Sequence, residues 1–291
     1  MARRRKGRDL SGWVVVDKPA GPSSNAVVGM VRRTLDARKA GHAGTLDPQA
    51  TGLLAVALGE ATKTVPALMD APKTYRFAVR LGAATTTDDA EGEVVATSDE
   101  RPTDAAIEAA LPALTGEVMQ VPPAFSAVKV DGRRAYAVAR GGGEVALAAR
   151  PLTVHALTLA DRPDPDTAIL EMTCGKGGYV RAVARDLGAM LGCHAHALWL
   201  RRTRTGPWTE AEAVPLDALD DAAIRPLEEA LARLPRTDVT EAEAVDLRHG
   251  RPIPSGGPPG AGWAALDGRA VALTERTEAS LRPVRVIGRT P

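Results

Sequence analysis

The stretch GWVVVDKPAGPSS, residues 12–24, limits the possible folds more than any other part of the chain. Its β-branched run reads as a buried strand that ends at Lys18 and gives way to a Pro/Gly turn. Ser23 or Ser24 can then cap a helix that places Val27, Val28, Val31 and Leu35 on one face. A buried strand followed at once by an amphipathic helix calls for a layered domain, with helices packed on a sheet. The rest of the chain continues the mixture. TYRFAVRLG (74–82) alternates like a strand with one buried face, EVVATS (93–98) is a second strand, and a helix capped at Pro102–Thr103 is expected to run to about Leu114. Residues 122–140 suggest a loop, a short strand, an Asp131–Gly132 turn and a helix. Residues 156–191 suggest a hairpin and a glycine-broken entry into a helix ending near Gly192. Residues 209–235 are expected to be helical and acidic at first.

These elements predict an α+β chain with a mixed, mainly antiparallel central sheet whose strands are largely hairpin-linked. The texture changes at Pro235 to a Gly/Pro-rich segment and two short strand candidates, WAALDG and AVALTE. The expected organisation is therefore a basic head (1–10), a main domain (11–234) and a small, mostly β module (235–291). With 291 residues, 44% hydrophobic and 25% charged, the chain has the composition of a globular protein. Its net charge of +1 advertises no overall affinity for nucleic acid, so any such footprint is local. Cys174 and Cys193 lie far apart and without metal spacing, which points to a reducing compartment. The longest apolar runs, such as LLAVALG (53–59), are too short to cross a bilayer, and no apolar signal core follows the basic N-terminus. A soluble, cytoplasmic protein is expected.

RKAGHAG (38–44) is expected to close the first helix into a glycine-rich loop that delivers Asp47, and within GHAGTLDPQATGLL (41–54) Asp47 is an isolated carboxylate among Gly, Ala and Thr. An unpaired buried carboxylate is costly, so Asp47 must face something, pair with a distant cation, or both. Neither GHAGTLDP nor GKGGYV satisfies the phosphate-binding loop pattern, and no G-x-S-x-G elbow is present. CHAH (193–196) lacks a complementary ligand pair elsewhere, so no metal is expected. Tyr75, at the start of a strand, and Arg181, after Tyr179 in GKGGYVR, each have an ordinary structural reading when taken singly. The basic residues are more suggestive as a set: Arg3, Arg4, Arg5 and Lys6; Arg32, Arg33 and Lys39; Arg201, Arg202 and Arg204. Such clusters can line one face for phosphates.

GHAGTLDPQATGLL resembles the catalytic segment of the TruB family of tRNA pseudouridine synthases. VVVDKPAGPSS resembles the family's first motif, KTYRFAVRLG its tyrosine-bearing strand and VPPAFSAVKVDGRRAYAVAR its proline-rich loop and following helix. CGKGGYVRAVARDLG resembles its arginine motif and LRRTRTGPW the close of its catalytic domain. These blocks occur in order over about residues 12–208. The C-terminal segment resembles, more weakly, the small PUA-like RNA-binding domains of these enzymes.

The resemblance implies a pseudouridine synthase fold and an enzyme that isomerises uridine to pseudouridine at position 55, in the T-arm loop of tRNA. It implies Asp47 as the catalytic carboxylate, Arg181 as its paired cation and Tyr75 as a residue that stacks on uracil and helps proton transfer. Leu200 would form an apolar wall, and Tyr179 is counted among the substrate-binding residues. The target base must be flipped out, and His42 would enter the RNA loop in its place. Asp89 would contact the RNA or the flipped nucleotide, while Lys18, Lys63 and Lys129 would contact phosphates. No cofactor is implied, because a glycosidic bond is broken and remade without redox change. The partner implied is tRNA, with no membrane and no obligate protein partner, and a monomer is expected. The chain departs from the family pattern at Thr86, commonly Asp, and at Gly178, commonly Thr.

Overall fold

The computed structural model describes residues 7–126, 129–130, 133–134 and 147–288, with backbone alone at 129–130 and 133–134. In chain order, the elements are β1 (Gly12–Lys18), α1 (Ser24–Thr34), β2 (Ala40–Ala43), β3 (Thr51–Leu58), α2 (Val65–Asp70), β4 (Lys73–Leu81), β5 (Ala83–Thr85) and β6 (Val94–Thr97). There follow α3 (Asp104–Ala110), β7 (Gly116–Gln120), β8 (Lys129–Val130), β9 (Arg133–Arg134), β10 (Arg150–Asp164), β11 (Thr167–Cys174), α4 (Val180–Met190) and β12 (Ala195–Thr205). The chain continues through β13 (Trp208–Thr209), β14 (Val214–Pro215), β15 (Arg236–Asp238), α5 (Glu241–Arg248), β16 (Ile253–Pro254), β17 (Gly260–Leu266), β18 (Arg269–Arg276) and β19 (Ser280–Val286). The described residues fall into two compact units. The first comprises the chain up to Pro48, Gly52–Ala71 and the chain from Thr205 onward; the second comprises Gln49–Thr51 and Pro72–Arg204.

In the first unit β1 pairs antiparallel with β3, from Gly12 opposite Leu58 to Lys18 opposite Gly52. It pairs parallel with β14 on its other side. The β-branched face of β1 packs into a core of Trp13, Val15, Leu53, Ala55, Leu68 and Trp208, in which the two indoles lie 5.5 Å apart. Ser23 caps α1 by accepting from Ala26 N at 3.2 Å, and Val27, Val31 and Leu35 are buried as the spacing predicts, while Val28, expected on the same face, is half-buried. The same unit carries a five-stranded sheet in the order β15-β17-β18-β19-β16. Its helix α5 opens with a reciprocal capping box between Thr240 and Glu243.

The second unit is built on the strand order β12-β4-β11-β10-β7. Strands β4, β11, β10 and β7 are antiparallel neighbours, with Tyr75 opposite Met172. Its core gathers Phe77, Val79, Leu81, Ile107, Leu170, Met172, Val183 and Leu187, so α3 and α4 cover the sheet. Alternation along β4 and the apolar stripe of α4 supply this layer directly.

Three expectations need correction. Residues 40–43 form β2, a strand paired with β3 and not a loop, with His42 opposite Val56. Four residues, three of them Ala or Gly, carry no readable period, and the pairing partner comes from a later strand. The segment 209–235 forms short 3₁₀ turns and strands. Thr209 and Asp220 accept from nearby backbone N–H groups, and Pro215 and Pro226 interrupt any longer helix. The helix from Asp104 stops at Ala110 and continues as a 3₁₀ turn to Leu114, because Pro112 withholds an N–H. The helix expected after Asp131–Gly132 lies outside the described residues.

Gly59 joins β3 to the next turn at φ +51, and a Cβ there would sit 2.0 Å from Leu10 O. Gly59→Ala is expected to cost more than about 2 kcal/mol, read as a lowered denaturant midpoint at unchanged m-value.

Candidate active site

In the first unit, the backbone on both sides of Asp47 is fixed by residues of the β1–α1 connection. Ser24 Oγ donates to Leu46 O at 2.8 Å and accepts from Leu46 N at 2.9 Å. One buried hydroxyl therefore satisfies both polar groups of the residue before the carboxylate. After it, Pro48 O accepts from Lys18 Nζ at 2.7 Å and from Gly21 N at 2.9 Å. Lys18 Nζ also donates to Pro19 O at 2.9 Å, and the residue is 0% exposed. Pro48 keeps Asp47 out of helical geometry, and the half-buried carboxylate thus projects from a turn held at both shoulders. Lys18, expected to contact a phosphate, is placed inward here with its ammonium on these two carbonyls.

In the second unit, Tyr75 on β4 and Leu200 on β12 are both partly buried and pack against the same apolar core. Arg181 stands in the first turn of α4 and is 6% exposed. Its Nη1 donates to Thr87 O at 3.1 Å and lies 3.4 Å from Asp89 Oδ2, and its Nη2 donates to Phe125 O at 2.9 Å. Asp89 also accepts from Glu91 N at 3.1 Å and from the Thr87 hydroxyl, so it organises the loop between β5 and β6 as well as pairing with Arg181. Tyr179 occupies the N-cap of α4. Its N donates to Gln120 Oε1 at 3.0 Å, and its carbonyl accepts from Gln120 Nε2 at 3.2 Å. Gln120 was not legible as a site neighbour in the sequence. Its only local signal is its place directly before the proline-rich loop.

Other expected residues are placed as follows. His42 lies half-buried on β2. Lys63 pairs with Glu60 at 2.6 Å, and Glu60 also accepts from Gly288 N at 2.8 Å. The side chain of Lys129 and the basic residues Arg3, Arg4, Arg5 and Lys6 lie outside the described residues. Arg202 is 1% exposed and so lies outside any phosphate-facing set, while Arg204, two residues further along β12, is exposed. In CHAH, Cys193 is buried and His196 Nδ1 lies 2.8 Å from Ala83 O. Among the described residues no group of three or more His, Cys, Asp or Glu side chains converges on a metal position.

Gly178 precedes the N-cap of α4. A Cβ added there would meet Cys174 Sγ at 2.6 Å and the Leu152 methyl carbons at 3.4 and 3.5 Å. The Cys174 thiol, pushed up to about 11 by burial, thus fills the space into which a residue 178 side chain would project. This explains how the chain accommodates glycine at the position where the family pattern carries Thr.

The comparisons fit this architecture. Residues 32–180 match the model of the TruB family pseudouridylate synthase N-terminal domain. Residues 181–236 match the tRNA pseudouridylate synthase B C-terminal domain, and residues 234–288 match the tRNA pseudouridine synthase II C-terminal model. The chain is 57% identical over 99% of both chains to the tRNA pseudouridine synthase B of Ruegeria pomeroyi. It is 58% identical to that of a Ruegeria species, over 98% of this chain and 99% of the relative. Among solved structures, a Cbf5-Nop10-Gar1 complex contains a chain that superposes with a TM-score of 0.72 at 26% identity, covering 96% of this chain and 84% of that one.

The chain belongs to the TruB family of pseudouridine synthases. It has the pseudouridine synthase fold and is an isomerase of that class.

Two outcomes follow from the site's construction. Ser24→Ala leaves the buried N–H and C=O of Leu46 without their hydroxyl and is expected to cost about 1–3 kcal/mol in urea unfolding. Gly178→Thr is expected to lower Tm through overpacking, and Cys174→Ala in the same chain should recover part of the loss in a thermal melt.

Proposed function

We propose that the chain isomerises uridine to pseudouridine in tRNA, at position 55 in the T-arm loop, acting without an obligate protein partner. The observation that carries this reading is identity of 57% along 99% of a relative named tRNA pseudouridine synthase B. The intact GHAGTLDPQATGLL segment, built as a braced turn around Asp47, supports it. Among the described residues no helix is long and apolar enough to cross a membrane. The proposed organisation is a catalytic region over 11–234 and a PUA-like RNA-binding module over 235–291.

Asp47 is the proposed catalytic carboxylate. In the isomerisation the N1–C1′ bond of the nucleotide breaks, uracil turns while held in the pocket, and a C5–C1′ bond forms. The C5 proton is then lost and N1 gains one, so no oxidant, reductant or leaving group is consumed. An anionic carboxylate beside C1′ serves this sequence, either by attacking the sugar or by assisting elimination. Arg181 is assigned to pairing and orienting that carboxylate. Tyr75 offers a flat face for the base and a hydroxyl for proton transfer, with Leu200 as an apolar wall and Tyr179 beside them. The uridine must leave its stack to reach Asp47, and His42 is proposed to fill the vacated position. Asp89, Lys63 and Lys129 are assigned to the RNA-facing side, and Lys18 is reassigned to bracing the Asp47 turn.

Site-resolved pseudouridine mapping of an unmodified tRNA transcript tests the reading. Wild-type protein should modify one uridine of the T-arm loop, and Asp47→Asn should lower the rate by about a thousand-fold or more while still binding tRNA. Addition of a chelator should leave the wild-type rate unchanged. Modification elsewhere in the tRNA, or undiminished activity in Asp47→Asn, would refute it.

A further inference from the structure

Arg185 stands one helical turn after Arg181 on α4, and its guanidinium reaches the same two segments of the second unit. Its Nη1 donates to Asp88 Oδ2 at 3.0 Å, its Nη2 to Val121 O at 2.8 Å and its Nε to Asp186 Oδ1 at 2.9 Å. Arg181 meets those segments at Thr87 and Asp89 on one side and at Phe125 on the other. Two parallel guanidinium forks therefore tie the β5–β6 loop and the segment 121–126 to one face of α4. Asp88 is well placed to act as the peg between them. It adopts a left-handed backbone at φ 60, and its carbonyl accepts from Ala197 N at 3.0 Å, which fixes the loop against β12. Its side chain is 17% exposed, and that of Arg185 is 29% exposed. Burial raises the Asp88 pKa; the charges of Arg185 and Arg181 counter this, while Asp186 adds to it.

We propose that Arg185 and Asp88 are positioning residues for uridine isomerisation. They hold in register the two segments that share Arg181, and so set the direction of the Arg181 guanidinium. The pair is partly buried and reaches the segments that hold Arg181, so the property assigned to it is geometry at Arg181. The inference rests on the reading of Arg181 as an active-site residue. The sequence places Arg185 inside the block CGKGGYVRAVARDLG but assigns a role there only to Arg181, since Arg and Asp on a helix and loop usually face solvent.

The test compares wild type, Arg185→Ala, Arg185→Lys, Asp88→Asn and the Arg185→Ala/Asp88→Asn double variant, using unmodified tRNA under single-turnover and steady-state conditions. Arg185→Ala and Asp88→Asn are each expected to lower kcat by about 10- to 100-fold. KM should remain within about 2-fold of wild type, because the loss is in orientation and not in RNA binding. The double variant should be no slower than the worse single variant, and Arg185→Lys should recover part of the rate. Tm should fall by no more than about 5 °C. If Arg185→Ala does not fold, the near-isosteric Asp88→Asn carries the same test. Wild-type kcat in the folded variants, or a loss confined to KM, would overturn the inference alone. A wild-type protein that forms no pseudouridine would overturn the functional reading and this inference with it.

Discussion

A fully buried ammonium sets the geometry on which the first unit's candidate chemistry depends. Lys18 ends β1 with no exposed surface, and its Nζ donates to the carbonyls of Pro19 and Pro48. Burying a charge is costly unless its hydrogen bonds are replaced, so Lys18 and the Pro48 carbonyl hold one another in place. Ser24 does the equivalent on the other side of Asp47 with a neutral group, donating to and accepting from Leu46. The proposed catalytic carboxylate is thereby carried on a backbone that has little freedom to move. Orientation of a reacting group within a fraction of an ångström is worth several orders of magnitude in rate, and a turn braced on both sides contributes to it through the backbone.

The second unit applies the same principle to a cation. Arg181 is anchored in the first turn of α4, whose N-cap backbone is held at both its N–H and its C=O by Gln120. Its guanidinium is then directed by carbonyls from two separate segments and by Asp89. A helix presents the residue, and two connecting segments are gathered onto it. This is the usual division of labour between scaffold and functional loops. The crowding of Gly178 against Cys174 shows close packing at the residue before the α4 N-cap.

Much of this architecture was legible in the sequence because it rests on local signals. The β-branched run of β1, the Ser23 cap, the alternation along β4 and the apolar stripe of α4 each need only a short window. The Asp47 segment stood out because an isolated carboxylate among small residues requires a reason. What escaped the sequence reading depends on partners distant along the chain. Strand β2 exists because β3 offers an edge, and the Lys18 ammonium turns inward because Pro48 arrives beside it. Arg202 is buried by the tertiary packing around β12, where a basic cluster had suggested a phosphate face. Asp89 was expected to face the RNA, and the structure pairs it with an arginine presented by a helix far along the chain in the same unit.

The central claim is that a backbone-braced Asp47 performs the bond exchange at one uridine. Formation of pseudouridine replaces the C5–H bond by C5–C1′, so tritium at uridine C5 leaves once per event. Single-turnover tritium release from tRNA transcribed with 5-tritiated uridine, with tRNA affinity measured in parallel, therefore reads the chemistry directly. The account predicts one tritium released per tRNA by wild type, and a rate lowered about 10-fold or more in folded Lys18→Met at unchanged affinity. Release by Lys18→Met at the wild-type rate would contradict the bracing of Asp47, and absence of release by wild type would contradict the isomerisation itself.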